Sequence, residues 1–95
     1  MRPSSPFKRI APLVARAADD KKALDVVLLD VQRVSGLTDY LVIASVDSPA
    51  QLQAVEDSVE DVMRSAGLRV SHRDGSGSVL WRVLDYGGLM VHIMD

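Results

Sequence analysis

The sequence contains no cysteine, which excludes disulfides, thiol nucleophiles and thiolate metal sites together. That absence fits a reducing compartment. Histidine is nearly missing too. Only His72 and His92 are present, and neither has a second His or Cys at ligand spacing, so a zinc site would have to draw on scattered carboxylates. No apolar run approaches the ~20 residues that cross a bilayer, and there is no internal repeat. Aromatic residues are scarce: Phe7, Tyr40, Trp81 and Tyr86 are the full set. With 95 residues there is room for one core and no second one. A domain of this size has a small stability margin.

What is present is a 47% hydrophobic chain with a net charge of −2. That is ordinary for a globular protein and too apolar for a disordered one. The charge is unevenly spread. Residues 1–18 carry Arg2, Lys8, Arg9 and Arg16 with no acid, a balance of +4, which leaves −6 on the rest. An acidic body argues against a dedicated phosphate-backbone binder, so no direct, sequence-specific nucleic-acid contact is expected. The basic head, with Ser4 and Ser5, has the composition of a transit peptide, but a frayed terminus leading into a helix is the plainer reading. A secretory signal is disfavoured, because Pro12 and Arg16 interrupt its apolar segment.

Residues 1–9, with Pro3 and Pro6, read as a flexible leader, and residues 10–95 as one α/β domain. A first helix is expected from Pro12 to Ala23, with Ile10, Leu13, Val14, Ala17 and Ala18 as its apolar stripe. Asp25–Val31 and Asp39–Val46 are short apolar runs rich in β-branched residues, the pattern of strands buried on both faces. Ser48, Pro49 and Gln51 form a capping box, after which Leu52, Val55, Val59, Val62, Met63 and Ala66 recur at helical spacing until Gly67. Glu56, Asp57, Glu60 and Asp61 fall on its opposite, solvated side, with Arg64 four residues after Glu60. Strands follow over Leu68–Arg73, Val79–Tyr86 and Leu89–Met94, separated by Asp74–Gly77 and by Gly87-Gly88. The order is α-β-β-α-β-β-β: a single mixed sheet of about five strands with helices packed on it.

The search for catalytic groups returns little. Gly75–Ser78 lacks the Lys and glycine spacing of a P-loop and opens no helix, so a hairpin turn accounts for it. Nucleotidyl transfer pairs a Gly-Ser with a metal-binding D-x-D. Gly77-Ser78 here is followed by Asp85 alone, and no two-metal clamp can be assembled. No serine stands in a G-x-S-x-G elbow. Thr38, Asp39 and Tyr40 stand at a strand entrance, where Thr38 and Asp39 serve the turn's backbone donors as readily as a function. Trp81, Val83 and Asp85 alternate with Leu80, Arg82, Leu84 and Tyr86. A lone Trp in a strand reads first as a core anchor. Tyr86 beside Gly87-Gly88 is placed at a rim with its hydroxyl wet, and Trp and Tyr among charges are also what interfaces use.

These residues resemble a known family. Ala17–Asp25 (AADDKKALD), Val27–Val31 (VLLDV) and Ser35–Ala44 (SGLTDYLVIA), followed by Trp81–Ile93 (WRVLDYGGLMVHI), are similar to the ribosomal silencing factors, also called Iojap-like proteins. The resemblance implies a nucleotidyltransferase-like fold without the catalytic residues, no enzymatic activity and no cofactor. It implies binding to the large ribosomal subunit through large-subunit protein fourteen, steric blocking of subunit joining, and repression of translation under nutrient limitation. It further implies a possible homodimer and a cytoplasmic location, or an organellar one if residues 1–18 are a targeting segment. Carried over, the partner-binding residues are Thr38, Asp39, Tyr40, Trp81, Asp85, Tyr86 and Gly87. Trp81 and Tyr86 would supply apolar contact, Asp39 and Asp85 would meet basic groups, and Glu60 would steer encounter. The family's aromatic, acidic C-terminal segment has no counterpart before Asp95. Two other readings stay open: a large-subunit assembly factor, and a degenerate nucleotidyltransferase using Asp39, Asp85 and His92.

Overall fold

A computed structural model describes residues 5–95. Its elements are α1 (Phe7–Asp20), β1 (Leu24–Asp30), β2 (Tyr40–Ser45), α2 (Pro49–Ser65), β3 (His72–Asp74), β4 (Trp81–Asp85) and β5 (Leu89–Met94). The strands form one sheet in the order β1-β2-β5-β4-β3. β2 and β5 run parallel, joined by a crossover that contains α2, while the other pairs are antiparallel. The expected element order and the mixed sheet are what the chain adopts.

α1 begins five residues before the expected start. Of the expected leader, residues 1–4 lie outside the described residues, and the helix already starts at Phe7. The reason is burial: Phe7 and Ile10 pack against the core that Ala11, Val14 and Ala18 enter, whereas Leu13 points to solvent. Pro12 sits inside the helix, and the carbonyl it leaves without a donor belongs to Lys8, on the exposed side where water can serve it. Both helices end in the same way. The Ala23 N–H reaches back to the Ala18 carbonyl across Lys22 (φ 68), and the Leu68 N–H reaches the Met63 carbonyl across Gly67 (φ 79). A lysine in the left-handed position hides the first stop from a reader looking for glycine. At the front of α2 the capping box forms as expected, the Gln51 N–H donating to Ser48 Oγ at 3.0 Å.

Both helices lie on one face of the sheet. Tyr40, Val42 and Ala44 of β2, Leu84 of β4 and Leu89, Val91 and Ile93 of β5 point into them and meet Leu52, Val55, Val59 and Met63. The intervening residues point the other way and stay partly or fully exposed. No strand is therefore buried on both faces, contrary to the sequence expectation for β1 and β2. β1 is an edge strand, with Leu24, Val27, Leu28 and Leu29 exposed. β3 is also shorter than expected, because Leu68 and Val70 turn inward against the core and leave the sheet before pairing begins at His72.

Candidate partner-docking surface

The uncovered sheet face is ordered in rows set by the strand register. Leu29, Leu41, Met90, Asp85 and His72 make one row; Val27, Ile43, His92, Val83 and Asp74 make the next; Ser45, Met94 and Trp81 make the third. Side chains opposite one another in a sheet share a face. The middle of these rows is apolar and one end is polar, with His72 Nδ1 standing 4.0 Å from Asp85 Oδ2. Trp81 is 44% exposed. It is not a core anchor: its alternation with buried Arg82 and Leu84 sends it outward, and its ring lies over Gly75.

The two sequence signatures meet at one carbonyl. The N–H groups of Asp39 and Tyr40 both donate to the Gly88 oxygen, at 3.1 and 3.0 Å, which ties the β2 entrance to the β4–β5 turn. That turn is closed by the Tyr86 N–H on the Leu89 carbonyl and by the Gly87 N–H on Asp85 Oδ1, both at 2.8 Å. Gly87 takes φ 89, a conformation that favours glycine. The Phe7 ring packs directly against Gly88. Asp85 thus spends one oxygen on its own turn and keeps the other near His72. Thr38 Oγ1 donates to the Tyr40 carbonyl at 3.3 Å, and Ser35 Oγ accepts from the Leu37 and Thr38 N–H groups. This ordered loop holds out Val34 and Leu37, 86% and 83% exposed.

A match across residues 4–95 to the family model described as "Ribosomal silencing factor during starvation" decides the relationship. The chain belongs to the ribosomal silencing factor family. It is 33% identical to the Bacillus subtilis ribosomal silencing factor RsfS over 90% of this chain and 73% of that one. It is 38% identical to the Treponema pallidum RsfS over 90% and 77%. The chloroplast protein Iojap of Zea mays is 31% identical over 84% of this chain and 35% of its own length. A crystal structure from Chromobacterium violaceum superposes with a TM-score of 0.86 at 29% identity, covering 95% of this chain and 75% of that one.

Of the partner-binding residues expected from the sequence, Trp81 and Asp85 lie on the open face, with Thr38, Asp39 and Gly87 at its end. Tyr40 and Tyr86 do not. Both rings point into the helix-covered side, and Tyr86, 7% exposed, does not stand at the rim of the open face. Tyr40 Oη accepts from Gln32 Nε2 at 3.0 Å. Burial and the nearby Asp30 and Asp39 carboxylates hold its phenol above the ordinary range. Burial likewise raises that of Tyr86, partly offset by Arg73.

The acidic side of α2 is not simply solvated. Glu56 is 4% exposed and accepts from Arg82 Nε at 3.0 Å, with Arg73 Nε 3.3 Å from its other oxygen. Glu60 pairs with Arg73, so it is not free to steer a partner, and Arg64 pairs with Asp61 at 2.5 Å instead of with Glu60. Arg82, 6% exposed, also donates to the carbonyls of Gly75 and Ser78, clamping the turn on which Trp81 rests. Sequence reasoning missed this cluster, although the signal was there. Arg82 falls in the buried phase of β4 with Leu84, and Glu56 falls four residues after Leu52 and three before Val59. Among the described residues no group of three His, Asp or Glu converges as a metal site, so Asp39, Asp85 and His92 are not brought together. Nor is any described helix long and apolar enough to cross a membrane.

Proposed function

We propose that this chain docks on the large ribosomal subunit through large-subunit protein fourteen, blocks joining of the small subunit by occupying that position, and so represses translation when nutrients are limiting. Family membership supports the class of function. The observation that carries the surface is the one-sided packing: both helices cover one face of the sheet, and the other presents Trp81, Val83, Met90, Ile43 and Leu41 with Asp85 at its border. An exposed aromatic set in apolar surroundings and rimmed by acids has the composition of an interface core. The chain outside residues 1–18 carries −6, which suits a basic partner and speeds encounter. Thr38, Asp39 and Gly87 hold the end of the surface, while Tyr40 and Tyr86 act from beneath it by fixing the strand ends. Blocking by occupancy needs no reacting group. The place of action is the compartment that holds the ribosomes, the cytoplasm. A second copy of the chain would sit on the same open face, so self-association and subunit binding compete.

Co-sedimentation with purified subunits on sucrose gradients tests this. The protein is expected with large subunits and absent from small ones, and adding it before mixing should lower the joined fraction. Trp81→Ala should weaken docking by about 2 kcal/mol, roughly thirtyfold. A folded Trp81→Ala, Asp85→Ala double variant that binds as tightly as the parent would place the interface elsewhere. Normal joining with impaired subunit maturation in cells lacking the protein would instead favour the assembly-factor reading.

A further inference from the structure

A concave feature lies on the helix side of the sheet, away from the open face. It is a cleft of about 460 Å³ between the last turns of α2 and the segment leading into β3, lined by Arg64, Leu68, Arg69, Val70, Arg73, Tyr86 and Glu60. Its size falls within the range of small-molecule sites. Three arginines reach it from three directions, on α2, on the connecting segment and on β3. Arg73 is already matched by Glu56 and Glu60, and Arg64 by Asp61. Arg69 makes no ion pair or hydrogen bond among the described residues. The cluster of Arg64, Arg69, Arg73 and Arg82 against Glu56, Glu60 and Asp61 therefore carries one surplus positive charge, and Arg69 holds it.

A second, independent observation comes from the floor. Tyr86 is 7% exposed and lines the cleft, and its hydroxyl, which makes no side-chain hydrogen bond among the described residues, is not sealed from solvent. A phenol hydroxyl on the wall of a cleft can donate to an acceptor seated there. Arg64, Arg69 and Arg73 line the same cleft, so an acceptor seated against the hydroxyl also meets guanidinium groups.

We propose that this cleft binds a small phosphate ester, its phosphoryl oxygens accepting from Arg69, Arg64 and the Tyr86 hydroxyl and its organic body resting on Leu68 and Val70. Donors converging from several directions match a tetrahedral dianion better than a planar carboxylate, which one forked guanidinium would satisfy. The apolar wall gives the ester an advantage over bare phosphate. This site is separate from the docking face and does not depend on the partner assigned to that face.

Isothermal titration of the full chain with inorganic phosphate, ribose 5-phosphate and acetate, at constant ionic strength, tests it. Saturable binding is expected for both phosphates, tighter for ribose 5-phosphate, with acetate weaker. Arg69→Gln should weaken binding about tenfold, the scale of one charge-assisted hydrogen bond. Tyr86→Phe, which keeps the ring, should weaken it severalfold, whereas Trp81→Ala on the opposite face should leave it unchanged. Circular dichroism establishes that each variant is folded. No saturable heat up to millimolar phosphate, acetate binding as tightly as phosphate, or unchanged affinity in Arg69→Gln would each overturn the site. Equal affinity for phosphate and its ribose ester would remove the apolar wall from it.

Discussion

Glu56→Ala is the most informative single perturbation of the fold. The carboxylate it removes receives Arg82 on one oxygen and Arg73 on the other. The two arginines do not lose equally. Arg73 is 38% exposed and keeps Glu60, so its share is small. Arg82 is buried and is left with the Gly75 and Ser78 carbonyls as partners for a full charge. Removing one member of a buried pair costs about 3–5 kcal/mol, and the surviving carbonyl bonds place this case near 3. For a domain whose total stability is on the order of 5–15 kcal/mol that is a large fraction. At about 4–8 °C per kcal/mol, the melting temperature should fall by more than about 10 °C. Urea denaturation followed by circular dichroism measures it, with the slope checked against the parent. Glu56→Leu combined with Arg82→Met, which removes both charges and keeps the volume, should recover most of the loss. A loss under about 1 kcal/mol for Glu56→Ala, or a double variant worse than the single one, would refute the buried pair as described.

Trp81→Ala should cost less than about 1 kcal/mol of stability because the ring is already 44% exposed, so a large binding defect with a nearly unchanged urea midpoint separates docking from folding. Gly75→Ala should cost about 1–2 kcal/mol from its left-handed backbone (φ +83) alone, and more because the new Cβ stands 2.6 Å from the Trp81 carbonyl oxygen. Gly77→Ala, with nothing within 4 Å and no positive φ, is the matched control and should be close to neutral in the same urea titration. Both tyrosine pKa values are raised on folding, so the folded state keeps protons that the unfolded state releases above about pH 10. Their stabilisation is complete below that pH and is lost as pH rises through the folded values. Tyr40→Phe should therefore flatten the fall of the urea midpoint between about pH 9 and about pH 11, and parallel curves for variant and parent would contradict the assigned shift.

Local sequence signals proved legible wherever one residue type has one dominant use. Ser48 with Gln51 marks the start of α2, Gly67 its end, and the alternation in Leu89–Met94 the strand β5. What the residues could not disclose was which layer is missing. Asp25–Val31 looks like a fully buried strand because its apolar residues are consecutive, and only the sheet order, with β1 outermost, says otherwise. The same fact moved Trp81 from core to surface. For Glu56 the error ran the other way, since a carboxylate on a helix is expected in water unless two arginines come to meet it, and those lie 17 and 26 positions away along the chain. Of the residues expected to meet a partner, the sequence pointed to the β2 entrance and the β4–β5 turn, but not to the shared carbonyl of Gly88 that makes them one structure.

A sheet covered on one side only has two liabilities, an apolar face and free edges, and this chain treats them differently. At the β1 edge, an antiparallel pairing of two copies that sets Val27 against Leu28 also sets Asp25 against Asp30 at both ends. Like charges directly opposite one another are destabilising. The ladder between β1 and β2 is irregular between Leu24 and Val27, where Asp25 takes a positive φ of 49, so the outer edge does not offer a continuous row of pairing groups. At the other edge β3 is three residues long and wholly polar, His72, Arg73 and Asp74, two of them charged. Both are devices that discourage strand addition. The face has no such guard at its centre, where Leu41, Ile43, Val83, Met90 and Met94 surround His92 and lead to Trp81. Edges closed by charge and geometry beside a face left apolar define a surface suited to flat docking against a folded partner, and unsuited to capture of an extended strand.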